Sequence, residues 1–342
     1  MNNRIPDELE LDIPGGEAIL VNLPQGVRDV SARRLVDRVF AIVVTFAPPL
    51  AFALALYLHF SGWYSIGKVE IGCMLLMWFL AVAGIELGYH RLFSHGAFSA
   101  SPGLRVALAI MGSFAFQGPV IWWAAVHRKH HRHSDRPGDP HSMYYFPDSR
   151  PVPTTFAGRV QGFVHAHLGW IWTPDSIRSP AWGRYVRDLY RDAAIFRVHM
   201  YYFVWLALGF AIPAVIGGLA YGSWKGAFLG FLWGGFVRVF FMNHLSYWGI
   251  NTLSHSIGPR PYETADRSTN SIAILFAVPT MGQSYHNNHH AFPASSKMSH
   301  RWYEFDLGHG LLWLGERFGW VSERRYPSPR QMQAKARRPG QQ

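Results

Sequence analysis

Residues 39–67 carry no formally charged side chain, and 40–60 are apolar enough and long enough, at 1.5 Å per residue, to cross a hydrocarbon core of about 30 Å. Residues 69–89, with Glu70 at one end and Glu86 near the other, form a second spanning candidate, the uncharged 198–221 a third, and 226–248, which contains Arg238, a fourth. Segments of this kind must satisfy their backbone polar groups within helices. Short links join the first stretch to the second and the third to the fourth, so the pattern predicts two helical hairpins, with Pro48 and Pro49 kinking the first span. The expected fold class is all-α integral membrane, with four transmembrane helices and a helical cap. Residues 1–38 read as an N-terminal segment lacking the apolar core of a cleavable signal peptide. Residues 39–325 read as one functional domain and 326–342 as a basic disordered tail.

Charge sets the sidedness. Five Lys or Arg precede the first span, one lies in the first link, thirteen between the hairpins, one in the second link and eleven after the last span. By the positive-inside rule the termini and the long central segment are cytoplasmic and the two links face away. The net charge of +11 suits anionic lipid headgroups. Nucleic acid is not an expected partner, because no recognition-helix or zinc-finger spacing accompanies the charge. Residues 106–126 are also long enough to span, but crossing would separate His90 and His95 from His127. An interfacial or buried helix, interrupted at Gln117, Gly118 and Pro119, is expected there instead, and likewise for the shorter stretch 271–285.

Histidine is the unusual residue, with 18 copies, many of them clustered. Three boxes stand beside ends of apolar stretches: His90-Arg-Leu-Phe-Ser-His95, His127-Arg-Lys-His-His131 and His286-Asn-Asn-His-His290. In the second and third, the i, i+3, i+4 spacing puts His127, His130 and His131, and His286, His289 and His290, on one helical face, where ring nitrogens converge on a cation. The lone Cys73 excludes an intrachain disulfide, an all-cysteine zinc site and a cysteine-bound iron–sulfur cluster. No HExxH and no Glu-x-x-His occurs, so neither a zincin site nor a carboxylate-bridged ferritin-like site is encoded. Eight nitrogen donors are too many for one tetrahedral zinc and suit two metals. Two iron ions, as Fe2+, fit best, and the neutral ligands are expected to leave the iron's charge uncompensated, which makes the oxidised form strongly oxidising.

Between about the second span and the third box, the chain resembles the membrane fatty acyl desaturases of the stearoyl-CoA (delta-9) type, in particular bacterial members. The resemblance is carried by Gly88-Tyr-His-Arg-Leu-Phe-Ser-His95, the run from His127 to Asp135, Asp139-Pro-His141, His167-Leu-Gly-Trp170 and the third box. It implies four spans, a cytosolic cap, a histidine-ligated di-iron site and oxygen-dependent desaturation of a saturated fatty acyl chain at the delta-9 position. It further implies His255 as a ninth ligand and Asn251 as a metal contact through water, from Asn251-Thr-Leu-Ser-His255, and Gln117 and Trp123 as residues of the acyl tunnel. Where the animal enzymes bind coenzyme A, this chain has Ala125-Val126 and Pro174-Asp175. That difference points to a lipid-linked or differently held acyl thioester, with acyl-CoA held through Arg178 or Arg184 as the alternative. The resemblance also implies an external electron donor, a cytochrome b5-like protein or a ferredoxin with its reductase, and a multi-pass location in a bacterial inner membrane.

Other residues merit notice. Arg238 is costly within the fourth span and is either a site residue or an internally paired one. Glu86, one turn before His90, is placed to orient a ligand ring, while His133, His141, His165 and His167 are structural or supporting candidates. The rival readings are a fatty acyl or alkane hydroxylase on the same metal site, a histidine-rich membrane metal transporter, and a basic scaffold for anionic lipid.

Overall fold

The computed structural model describes residues 8–13, 16–22, 30–173, 180–270 and 276–337, and the chain divides into two compact units, residues 1–47 and 48–342. In the first unit, strands β1 (Glu8–Ile13) and β2 (Gly16–Asn22) pair antiparallel. Helix α1 (Val30–Phe60) begins there and continues into the second unit with Pro48 and Pro49 inside it.

The second unit is helical. In chain order it contains α2 (Lys68–Ala83), α3 (Pro102–Ser113), α4 (Val120–His133), α5 (Phe156–His167), α6 (Arg187–Tyr190), α7 (Ala193–Met200) and α8 (Tyr202–Tyr221). After these come α9 (Trp224–Gly230), α10 (Trp248–Leu253), α11 (His286–Ala291), α12 (Leu307–Arg317) and α13 (Pro329–Lys335). A short antiparallel pair joins β3 (Ser99–Ala100) to β4 (Val321–Ser322).

Among the described residues, four helices are long and apolar enough to cross a membrane: Leu35–Phe60, Lys68–Ser94, Tyr202–Tyr221 and Trp224–Leu253. They match the four stretches read from the sequence. The second and fourth run further than their apolar stretches, because helix geometry continues into the polar residues at their ends. The second continues from α2 as a π-helix over Gly84–Ser94, and the fourth links α9 to α10 through π-helical Phe231–Val237 and Phe240–Tyr247. At the linker end, buried Glu70 accepts hydrogen bonds from the backbone of Gly67 at 2.9 Å and from the Tyr221 hydroxyl at 3.1 Å, tying the two hairpins together.

The ambiguous stretch 106–126 is two helices, not one. α3 runs back along the second span so closely that Gly84 meets the backbone of Gly112, where an added Cβ would sit 1.9 Å from the Gly112 nitrogen. The chain reverses over 114–119, with Phe116 and Gly118 at positive φ, and α4 returns towards the histidine-rich end. Arg238 belongs to this reversal. Fully buried, its guanidinium donates to the Phe114 carbonyl at 2.7 Å and its Nε to the Gly234 carbonyl. A cation at the C-terminal end of α3 also complements the helix dipole. Arg238 is therefore internally bonded rather than part of the metal centre.

The expectation of a disordered tail is corrected for residues 326–337. Ser328 caps α13 in a reciprocal arrangement with Gln331, Ala336 bridges Tyr262, and Lys335 donates to the Ala291 carbonyl at 2.6 Å. The low apolar content that suggested disorder is offset by these backbone pairings with the loop after α10. Residues 338–342, together with Pro174, Asp175, Arg178 and 271–275, lie outside the described residues.

Candidate metal centre

The first box is shaped by the π-helix. Hydrogen bonding from residue i+5 to residue i brings side chains five apart onto one side, and the His95 amide donates to the His90 carbonyl at 3.2 Å. The second box lies on the last two turns of α4 and the third forms nearly all of α11. Each is anchored by its own non-histidine residues. Arg91 reaches the Met281 and Ser296 carbonyls and Asp306, and Arg128 reaches the Phe93 and Ser94 carbonyls, binding the second box to the first. Asn287 brackets the backbone of Tyr262 from both sides, and Asn288 bonds Asn270, Glu304 and the Met298 carbonyl.

Nine histidines form two groups. His90, His95, His127, His131 and His289 make one, and His130, His255, His286 and His290 the other, with the ligand-capable atoms of each group within 4.8 Å of one another. In the five-membered group the Nε2 atoms form a chain: His90 to His289 at 3.0 Å, His289 to His131 at 2.8 Å, His131 to His127 at 3.0 Å and His127 to His95 at 2.9 Å. An imidazole Nε2 offers one proton or one in-plane lone pair. Five of them aimed at one place cannot all be satisfied by bonding to each other, whereas one cation satisfies every lone pair. In the second group, His255 and His286 meet Nε2 to Nε2 at 2.9 Å, while His130 Nε2 and His290 Nε2 are buried without a hydrogen-bond partner. The donor set fits two metal ions.

Carboxylates fix the rings from behind. Glu86 faces His90 Nδ1 at 3.0 Å, Asp139 faces His130 Nδ1 at 2.9 Å, Asp135 faces His255 Nδ1 at 2.9 Å and Asp266 faces His290 Nδ1 at 2.7 Å. With Nδ1–H donating to a carboxylate, Nε2 presents its lone pair inward and gains basicity. The sequence expectation that imidazole ligands leave the metal charge uncompensated is corrected, because Asp135, Asp139 and Asp266 stand one imidazole away; Glu86 stands behind His90, as its position one turn earlier predicts. The runs containing Asp135 and Asp139 had marked the resemblance without revealing this role. Asp266 carried no sequence signal, since the histidine it faces lies 24 positions further along the chain.

Electrostatics favours lone-pair donation. Burial, reinforced by neighbouring histidines, pushes His127, His131, His286 and His289 well below the usual imidazole range, His95 down to about 3 and His290 down to about 4. His255 goes the other way, because Asp135 outweighs the effect of burial. Burial raises Asp139 and Asp266, but His130 and His290, respectively, outweigh it and hold both carboxyls below the ordinary carboxylate range.

The remaining candidates divide. His141 stacks on His130 with ring centroids 4.3 Å apart and joins Asp139 in a smaller group. His133 lies 3.5 Å from the Tyr185 hydroxyl, His165 packs on Phe146, and His167 packs on Phe163 and Trp248. His244 packs on Trp248 and Phe240. Asn251 is half-buried on α10, one turn before His255. Trp123 stacks on His127 at 5.0 Å and donates from Nε1 to Gln117 Oε1 at 3.0 Å. Gln117 donates in turn to Asn243 Oδ1 at 2.8 Å, and Asn243 donates to the Ala115 carbonyl at 3.0 Å. Asn243, on the fourth span, thus fixes the 114–119 reversal beside the histidines, a role nothing in its sequence neighbourhood announced. Arg184 is exposed and bonded to Tyr185.

The fatty acid desaturase family model matches residues 69–319. A hex-5-enoyl-[acyl-carrier protein] acetylenase of Moorena producens is 42% identical over 80% of this chain and 82% of its own length. An sn-1 stearoyl-lipid 9-desaturase of Anabaena variabilis is 34% identical over 72% of this chain and 78% of its own. A probable acyl-CoA desaturase of Schizosaccharomyces pombe is 32% identical over 69% of this chain but only 45% of its own length.

Proposed function

This chain belongs to the fatty acid desaturase family, and we propose that it is a di-iron, multi-pass membrane oxidoreductase that introduces unsaturation into a fatty acyl chain with dioxygen and external electrons. The observation that carries the reading is the partition of nine buried or half-buried imidazoles into groups of five and four. The ligands proposed for one iron are His90, His95, His127, His131 and His289. For the other they are His130, His255, His286 and His290, with Asn251 through water. Bound as Fe2+, the pair would supply dioxygen activation and removal of hydrogen from an unactivated methylene.

The chain's own residues supply position and exclusion. Glu86, Asp135, Asp139 and Asp266 hold ring orientation through Nδ1–H. Gln117 and Trp123, fixed by Asn243, line the wall against which the acyl chain lies, so that the reversal at 114–119 governs which carbons reach the metals. Two electrons come from a separate donor, a cytochrome b5-like protein or a ferredoxin with its reductase, because one cysteine cannot build a cluster here. The positive-charge distribution supports a cytoplasmic metal centre, and the likeness to cyanobacterial relatives supports a bacterial membrane.

Cyanobacterial relatives named as 9-desaturases support the delta-9 position and a lipid-linked chain. The acetylenase relative favours a second reading on the same site, removal of two further hydrogens from an existing double bond of a carrier-protein thioester. The test is the fatty acid profile, with bond localisation, of cells expressing this chain beside a His130→Ala, His131→Ala control. Purified protein given acyl-CoA, acyl-carrier protein or acyl lipid identifies the carrier. A new monoene requiring intact boxes supports desaturation, an alkyne supports the second reading, and a hydroxy acid overturns both.

A further inference from the structure

Helix α12 and the turn after it expose an unusual surface. Its inner face buries Gly308, Leu312 and Gly315, with Gly308 against the Arg91 guanidinium and Gly315 against Val321. Its outer face shows Trp313 and Leu314, 47% and 45% exposed, followed by Arg317, Phe318 and Trp320. Positions 313, 314 and 317 share one side of the helix by the i, i+1, i+4 relation, and the Arg317 guanidinium lies over the Trp313 ring at 5.0 Å from its centroid. Large apolar side chains in such a contiguous, arginine-flanked array mark an interaction surface rather than scattered exposure.

The array is also fixed in height. The Trp320 carbonyl accepts from the Ser101 amide at 2.9 Å, β4 pairs with β3, and the Arg325 amide donates to the Ala97 carbonyl. Residues 97–101 begin three positions after the second span ends at Ser94. The turn at Phe318 and Trp320 is therefore stitched to the chain at the point where it leaves that span.

We propose that α12 and the turn through Trp320 form a monotopic membrane contact, lying in the headgroup region of the leaflet beside the metal centre, with Arg317 engaging anionic phosphates. Indole rings and arginine at the level of a span's end are the composition of the membrane interface, and an amphipathic helix lies there with its apolar face immersed and its cations drawn to anionic lipid. Through Asp306, which caps α12 and pairs with Arg91, this contact couples the bilayer surface to the residue beside His90. The proposal rests on the reading that the four long apolar helices cross the membrane, and its test separates the two.

The full iron-loaded chain is spin-labelled at Leu314→Cys or Phe318→Cys, which the burial of Cys73 makes selective. Labels at Leu219→Cys on the third span and Arg150→Cys in an exposed loop serve as standards. Each variant is reconstituted in phosphatidylcholine vesicles with and without phosphatidylglycerol, and relaxation by oxygen is compared with relaxation by a water-soluble nickel chelate. The expected result is a severalfold higher oxygen-to-nickel accessibility ratio at 314 and 318 than at 150, rising further with phosphatidylglycerol, with Arg317→Glu abolishing that rise. Nickel accessibility equal to that at 150 overturns the proposal. So does shielding from both reagents, which would mean a protein partner or a second copy covers the face. A water-exposed label at 219 overturns the spanning reading itself, and the proposal falls with it.

Discussion

Arg91 and Asp306, 215 residues apart, form a fully buried two-pronged ion pair, with Nη2 to Oδ1 at 2.9 Å and Nη1 to Oδ2 at 3.2 Å. The arginine follows His90 directly, and the aspartate also accepts from the Met298 and His309 amides. One interaction thus holds the first box, the loop after the third box and the start of α12 in register.

Removing one partner leaves the other charge buried, at a cost of about 3–5 kcal/mol. Arg91→Met and Asp306→Ala are expected to lose most bound metal and to unfold at clearly lower denaturant. Arg91→Lys should rescue little, because an ammonium cannot make the paired fork. Metal stoichiometry and urea unfolding in detergent read both effects, and full rescue by lysine would refute the role given to geometry.

The carboxylates behind the rings predict a graded effect. Asp266→Ala removes the acceptor for His290 Nδ1–H, and a loss of about 10–100-fold in metal affinity is expected. Asp148→Ala, which removes an exposed partner of Arg150, should change nothing. Competition against a chelator of known affinity measures the difference, and equal affinities in the two variants would dismiss the orienting role.

Acid should destabilise the metal-free chain in a defined window. Burial places the folded values of His95 and His290 at about 3 and about 4, against roughly 6.5 unfolded. The unfolded state therefore binds more protons as pH falls below about 6.5, and stability, fully present above that value, declines towards the folded values. His255 has the opposite sign: its raised value stabilises below about 6.5 and that gain is lost as pH rises through it. With His141 also held down to about 3 by burial and His255 alone raised among the ligands, urea midpoints should fall between pH 7 and pH 5. A flat profile would contradict the assigned burial.

At the reversal, Asn243→Ala leaves the Ala115 carbonyl without its side-chain donor and Gln117 without its acceptor, at about 1–3 kcal/mol for buried groups. If this turn forms the acyl wall, products should spread over neighbouring bond positions or chain lengths while metal content stays near normal. Mass spectrometry of the products decides, and an unchanged distribution would mean the wall lies elsewhere.

What could be read from the sequence followed its periodicities. Apolar length marked the four spans despite Glu86 and Arg238 within two of them, and i, i+3, i+4 spacing assembled the second and third boxes. The pairing of His90 with His95 was harder, because five-residue spacing shares a side only in π geometry, which has no compositional mark. Asp266 and Asn243 were invisible because each acts on a partner brought near by tertiary folding. The tail misled for a related reason: Lys335 looks like a solvated cation until the Ala291 carbonyl is placed beneath it.

The four carboxylates behind the imidazoles bear on electroneutrality. Two divalent ions would bring four positive charges, and Asp135, Asp139 and Asp266 stand against them at one ring's remove, while Glu86, fully buried, is an acceptor for His90. A site offset in this way presents less net charge to its surroundings, so the self-energy that normally keeps ions out of low-dielectric media is reduced. The centre can then sit directly against hydrocarbon. Replacing one of these aspartates would leave the assembly with a larger net charge, and the apolar substrate beside it would have to share its space with the water that such a charge attracts.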